Sequence, residues 1–230
     1  MIIINKLFAS YNKKKKVIDS LDLSMKENSI NGIVGLNGSG KTTLLNVIYG
    51  LKKQDSGEIS YKGTKMSKKQ ISFLGAENFF YTNITGREYL YLFKHGNFNE
   101  DKWNELFLLP LDKVIDGYST GMKKKLALLA TLKQDKQILI LDEPFNGLDI
   151  ETSRIIRLIL LRLKEAGKTI IITSHIIETL TNLCDYIHYL EEGKIKYTKQ
   201  SKDFQEFERE IFQSIENKNE KLINNLTDIN

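Results

Sequence analysis

Apolar residues in this chain fall into short runs, and the spacing inside each run separates two kinds of element. Compact runs rich in Ile, Val, Leu and Tyr, bounded by Gly, Asn, Asp or Ser, predict strands over 2–8, 17–25, 29–34, 57–61, 71–75, 138–142, 169–174, 186–190 and 194–197. Apolar positions three and four residues apart predict helices over 41–50, 86–95, 99–108, 120–133, 151–165 and 176–183. The first quarter is strand-rich and the middle helical. From 138 onward strand and helix alternate, as in a parallel sheet covered by helices. "ILILD" and "TIIITS" are apolar nearly throughout, which suits central strands buried on both faces.

Three inner strands run directly into residues able to do chemistry. "SINGIVG" leads into "LNGSGKTT", "ILIL" into Asp142 and Glu143, and "TIIITS" into His175. In an open α/β sheet the carboxyl ends of the strands form the ligand-binding edge. The expected organisation is a core from residues 1–76 and 134–200, interrupted by a helical subdomain over 77–133. A charged C-terminal tail, 201–230, follows, with "KDFQEFEREIFQSIE" able to form a helix and "NKNEKLINNLTDIN" expected to fray.

Composition narrows the classes. A 230-residue chain can bury a sizeable core, and a net charge of +5 spread along it permits an anionic partner without requiring one. Cys184 is the only cysteine, so no intrachain disulfide forms, in keeping with a reducing compartment. The charges of "MIIINKLFASYNKKKK" follow its apolar run, the reverse of a secretory signal. "LALLATL" and "IIRLILLRL" fall short of the roughly 20 apolar residues that a membrane helix needs, so the chain is expected not to cross a membrane by itself.

The strongest chemical signal is "GLNGSGKTT" at 35–43, which matches the phosphate-loop pattern Gly-x4-Gly-Lys-[Ser/Thr] in full. Gly35, Gly38 and Gly40 let backbone N–H groups close around phosphate oxygens. Lys41 is placed to reach the β- and γ-phosphates, the Thr42 hydroxyl to ligate Mg²⁺, and Thr43 to meet the α-phosphate. Asp142 is placed to hold that metal through water, and Glu143 to act as general base on an attacking water. His175 reads as a γ-phosphate donor, whereas His95 and His188 read as structural. "YSTGMKKK" at 118–125 poses a question of charge, because three lysines open a helix whose N-terminus is already electropositive. They read either as solvated or as adding field toward a docked anion.

With these residues assembled, the chain resembles the ATP-binding subunits of ABC transporters over residues 1 to about 200. "GLNGSGKTT" is similar to the Walker A loop, "YSTGM" to the signature, "ILILDEP" to the Walker B strand, "NGLD" to the D-loop and "TSH" to the switch histidine. The resemblance implies a P-loop NTPase of ABC type: an α/β fold with a mostly parallel central sheet, an N-terminal antiparallel β-subdomain and a helical subdomain. It implies ATP and Mg²⁺ as cofactors. ATP contacts would come from Tyr11, stacked on adenine, and from Gly35, Asn37, Gly38, Ser39, Gly40, Lys41, Thr42 and Thr43. Thr42 and Asp142 would serve the metal, and Glu143 and His175 the chemistry. A second ATPase subunit, identical or not, would pair head to tail so that Ser119, Gly121 and Asp149 face the partner's nucleotide. A separately encoded permease would hold the pair at the cytoplasmic face of the membrane, with no nucleic acid expected.

Two departures qualify the match. Thr120 and Met122 replace a glycine and the glutamine of the signature, a form similar to subunits serving drug or antimicrobial-peptide export and immunity. The family's metal-contacting glutamine falls at Ala76 of "ISFLGAENFFYTNIT". Either Glu77 supplies a carboxylate after a shift of the loop, or the site works without that ligand. Phe79, Phe80 and Tyr81 read equally as a partner-facing patch or as subdomain core. The alternatives to a transport ATPase are an ABC protein acting on nucleic acid or ribosomes, and a weakly active regulatory nucleotide-binding module.

Overall fold

The computed structural model describes residues 1–11, 15–93, 97–207, 209–213, 216 and 220. Two sheets organise the chain. The smaller is antiparallel, in the order β2 (Lys15–Met25), β1 (Ile2–Tyr11), β4 (Ser56–Tyr61), β5 (Thr64–Lys65). The larger runs β10 (Lys194–Gln200), β9 (Tyr186–Glu191), β3 (Ile30–Val34), β8 (Thr169–Ser174), β7 (Ile138–Leu141), β6 (Ile71–Leu74). Its strands are parallel from β9 to β6, and β10 is an antiparallel edge. The helices are α1 (Lys41–Tyr49), α2 (Gly86–Tyr91), α3 (Glu100–Asn104), α4 (Thr120–Lys133), α5 (Ile150–Glu165) and α6 (Ile177–Thr181).

The unbroken apolar runs have a direct structural cause. Side chains alternate across a strand, so Leu139, Leu141, Ile170 and Ile172 join one core with α4, α5 and α6. Their neighbours Ile138, Ile140 and Ile171 join a second core with α1 and the antiparallel sheet. The parallel sheet is the common wall of both cores, so both of its faces are mainly apolar.

Strand order sets the site. β8 lies between β3 and β7, with Val34 opposite Ser174 and Leu141 opposite Ile172. The three strand-end motifs therefore emerge side by side at one carboxyl edge, although more than a hundred residues separate the first from the last.

Several boundaries differ from the expected ones. α3 stops at Asn104 because that side chain turns back on the backbone, donating to the Leu109 carbonyl (2.8 Å) and accepting from the Leu109 N–H (2.9 Å). α2 begins with a capping box between Thr85 and Glu88 and ends at Tyr91, short of the expected 95. β5 follows a tight turn in which Lys62 (φ 51°) and Gly63 (φ 75°) both take left-handed conformations, and the sequence pattern missed it. His95 and most of 214–230 lie outside the described residues. The nearer tail is more than a charged appendage: residues 204–207 and 209–213 are helical. Phe204 and Phe207 are buried, with Phe207 edge-on to Tyr189 and Tyr197.

Candidate nucleotide site

β3 ends at Val34 and α1 starts at Lys41, leaving residues 35–40 as the loop. A side chain at Gly35 would lie 2.2 Å from the Leu190 carbonyl oxygen and 2.7 Å from Ser39 Oγ, so close packing excludes one. Gly40 takes φ 109° and caps α1 without any side-chain hydrogen bond, so the first N–H groups of the helix face the loop. Lys41 is buried and curls over that loop, donating to the carbonyls of Gly35 (2.7 Å) and Leu36 (3.3 Å). Burial pushes its pKa down, against the pull of Glu143 and Asp142. Ser39 and Thr43 are buried, whereas Thr42 is exposed.

The two acids sit beside β8 as the register requires. Asp142 is fully buried; its Oδ1 accepts from the Thr173 hydroxyl (2.5 Å), and its Oδ2 is buried with no hydrogen-bond partner among the described residues. Glu143 takes φ 48°, its N–H donates to Thr173 Oγ1 (3.0 Å), and its Oε2 lies 3.0 Å from His175 Nδ1. Thr173 thus serves both acids. Its signal in the sequence was a hydroxyl that directly follows the three isoleucines of β8.

A cleft of about 560 Å³ brings Asn37, Gly38, Gly40, Lys41, Thr42 and Thr43 together with Glu143 and His175. Asn146 also lines it and was missed, although "NGLD" follows the acids closely. Gly35, Ser39 and Asp142 do not line the cleft. Tyr11 stands nearby, half-exposed, with its hydroxyl 3.4 Å from Thr43 Oγ1 and the Lys52 ammonium 4.2 Å from its ring centroid.

Ser119, Gly121 and Asp149 lie outside this cleft. Ser119 caps α4, its Oγ accepting from the Met122 N–H (3.2 Å). Asp149 caps α5 with bonds from the Thr152 N–H (2.7 Å) and hydroxyl (2.8 Å), and those contacts hold its carboxyl below the usual range. The lysines after the signature turn are not a solvated trio. Lys124 is half-buried and donates to the carbonyls of Glu143 (2.5 Å) and Asn146 (2.8 Å), and Lys125 lies 3.8 Å from Asp149. Burial lowers the Lys124 pKa, opposed by Glu143 and Asp142. Lys123 lines a neighbouring cleft of about 450 Å³ with Ala76, Glu77, Asn78, Phe80 and Thr120. Glu77 is therefore not brought into the cleft of Lys41, Glu143 and His175. Phe79 and Tyr81 are exposed and meet edge-on at 5.7 Å, while Phe80 packs against Tyr89. His188 is buried between Thr198 and Asn31 and is structural, its pKa lowered by burial to about 4.

The family described as ABC transporter matches residues 18–146, more than half of the chain. The chain belongs to that family. It is an ATP-binding subunit with the ATPase fold of ABC transporters. Its relatives include the ABC transporter ATP-binding protein NatA of Bacillus subtilis, 31% identical over 91% of this chain and 93% of that one. The bacitracin transport ATP-binding protein BcrA of Bacillus licheniformis is 34% identical over 79% of this chain and 64% of that one. The lantibiotic transport ATP-binding protein SrtF of Streptococcus pyogenes is 29% identical over 87% of this chain and 91% of that one. Among solved structures, an ATP-binding subunit of an ABC transporter superposes with a TM-score of 0.80 at 23% identity, covering 87% of this chain and 90% of that one. A dimeric cassette in a post-hydrolysis state with ADP and Pi gives 0.76 at 22% identity, covering 87% and 99%. These structures share the fold. The three relatives are named as transporter or transport ATP-binding proteins.

Proposed function

We propose that this ATPase subunit hydrolyses ATP at the cleft between the phosphate loop and the Glu143–His175 pair, and so powers export through a separate permease. The observation that carries the proposal is the convergence of Lys41, Glu143 and His175 on one cleft, with Glu143 Oε2 and His175 Nδ1 3.0 Å apart. Lys41 exchanges its two carbonyl acceptors for the β- and γ-phosphates. Glu143 takes a proton from water as the water oxygen bonds to the γ-phosphorus, and the bond to the β,γ-bridging oxygen breaks to leave ADP and phosphate. His175, beside Glu143 in the same cleft, reaches the γ-phosphate as a hydrogen-bond donor. Tyr11 stacks on the base.

The orphaned buried Oδ2 of Asp142 and the exposed Thr42 hydroxyl fit a Mg²⁺ site. Thr42 would ligate the ion and Asp142 would hold it through water. Bound there, the ion would supply charge neutralisation to the phosphates. Among the described residues no group of three or more His, Cys, Asp or Glu side chains is placed to hold a metal by itself.

Two subunits close head to tail, Ser119 and Gly121 meeting the γ-phosphate on the partner and Asp149 meeting its phosphate loop. Residues 77–133 act as one unit in that closure. Gly121 supports this geometry: a Cβ there would meet only the Gly147 carbonyl oxygen, at 3.7 Å, so nothing within the subunit demands glycine. The exposed Phe79–Tyr81 pair is the proposed contact with the permease, which brings the subunit to the cytoplasmic membrane face. Among the described residues no helix is long and apolar enough to cross a membrane. BcrA and SrtF support an antimicrobial peptide or similar compound as the cargo.

Glu143→Gln tests the chemistry. It should bind ATP with near wild-type affinity, lose turnover by about 10²–10⁴-fold, and accumulate as an ATP-bound dimer in analytical ultracentrifugation. Turnover at the wild-type rate would remove Glu143 as the base.

A further inference from the structure

The backbone of Glu143 is held in a conformation that a glutamate does not choose. A non-glycine residue at φ 48° in the left-handed region persists only where its surroundings over-determine it. Thr173 anchors the Glu143 N–H and His175 meets its carboxylate. The remaining handle is its carbonyl oxygen. That oxygen accepts from the Asn146 N–H (3.2 Å), closing the 143–146 turn, and from the Lys124 ammonium at 2.5 Å. Lys124 also reaches the Asn146 carbonyl, at 2.8 Å, so a single cation binds both ends of the turn. Farther along the same loop Asp149 sits 3.8 Å from Lys125. Adjacent lysines in the first turns of α4 thus hold the loop 143–149 at its start and its end.

From this geometry we infer that Lys124 is a positioning residue for Glu143. It fixes the turn that aims the carboxylate into the phosphate cleft and makes that aim depend on where α4 stands. A charge-assisted bond to a half-buried carbonyl is stronger than a neutral one, and no other described side chain donates to that oxygen. The helix bearing the signature turn and the loop bearing the base then move as one piece. The inference rests on the reading of Glu143 as the base.

The test uses the full chain. Lys124→Met keeps the apolar stem and removes the ammonium; Lys124→Arg keeps a cation that can reach two carbonyls. Lys124→Met should reduce kcat by about 10- to 100-fold, the scale expected when a reacting group is misplaced by around 1 Å. KM for ATP should stay within about twofold, since contacts to the phosphate loop and to the adenine are not altered. Lys124→Arg should recover most of the rate. The decisive readout is the background. In Glu143→Gln, adding Lys124→Met should change the residual single-turnover rate by less than about twofold, because a positioning role vanishes with the group positioned. Equal losses in both backgrounds, or wild-type kcat in Lys124→Met, would overturn the inference. If Lys124→Met does not fold, Lys124→Gln is carried through the same comparison with the same criteria. Wild-type turnover by Glu143→Gln alone would sink the base reading and this inference with it. A normal Glu143→Gln phenotype with additive losses would sink the inference only.

Discussion

At the scale of single residues, function here depends on where polar atoms are left without partners and where they are not. Among the described residues Asp142 keeps one carboxylate oxygen without a hydrogen-bond partner in a fully buried position, which is uncommon for a buried polar atom. Thr173 takes up the other oxygen and also anchors Glu143. The motif residues were plain in the sequence because phosphate chemistry demands those types at that spacing. Thr173, Asn146 and Lys124 were not, since each acquires its role from a neighbour distant in the chain. Tyr11 belongs to this scale too. Lys52 sits over its ring and donates to the Ser10 carbonyl at 2.7 Å, so one face of the ring is covered and its orientation is set. On the reading that the base stacks on Tyr11, Lys52→Met should raise the Kd for ATP about 3- to 10-fold, given the modest worth of a partly exposed cation–π contact. The Kd for inorganic triphosphate should not move. Isothermal titration with both ligands decides; equal losses for the two would place Lys52 with the phosphates instead.

At the scale of elements, helix ends do most of the work. α1 presents uncapped N–H groups because Gly40 has no side chain to satisfy them. α4 and α5 instead carry Ser119 and Asp149 as caps, so two residues expected to face a partner's nucleotide already have duties inside the subunit. That double use complicates truncating either one, since loss of a cap alone costs about 1 kcal/mol. Gly121 gives a cleaner experiment. Gly121→Ala should stabilise the isolated subunit by about 0.5–1 kcal/mol in denaturant unfolding, as alanine is the better helix former and has room here. The same change should weaken ATP-dependent dimerisation at least about tenfold, if backbone must approach the partner's phosphate. Unaltered dimerisation would place the contact elsewhere. Element boundaries were the least legible feature in the sequence. α3 ends early through the Asn104 side chain, a local hydrogen-bond choice that apolar spacing does not record.

At the scale of the molecule, the parallel sheet serves as wall to two cores and as the platform for the site. Its edge is stiffened by buried polar contacts, among them His188 between Thr198 and Asn31. Burial lowers the His188 pKa to about 4, against an ordinary value of 6.5. The folded state therefore resists a proton that the unfolded chain accepts below pH 6.5. Stability attributable to this group is full above pH 6.5 and falls as pH drops toward 4, by at most about 3 kcal/mol. His188→Gln should flatten that part of the pH–stability curve in urea titrations relative to wild type. Parallel curves for the two proteins would assign the acid sensitivity to other groups.

Strand type, and the glycine-rich loop, acid pair and His175 that gather at one sheet edge, were all readable from residue order. Each depends on local spacing or on burial along one element, and the family resemblance rests on the same residues. Tertiary structure alone ordered the strands so that β8 stands between β3 and β7, since pairing of distant strands is set by packing on both sheet faces. It also turned the lysines of "YSTGMKKK" from apparent surface charge into ties on the loop of Glu143. A lysine's partner is whatever backbone the fold brings within reach of its long side chain, and no spacing rule in the sequence encodes that distance.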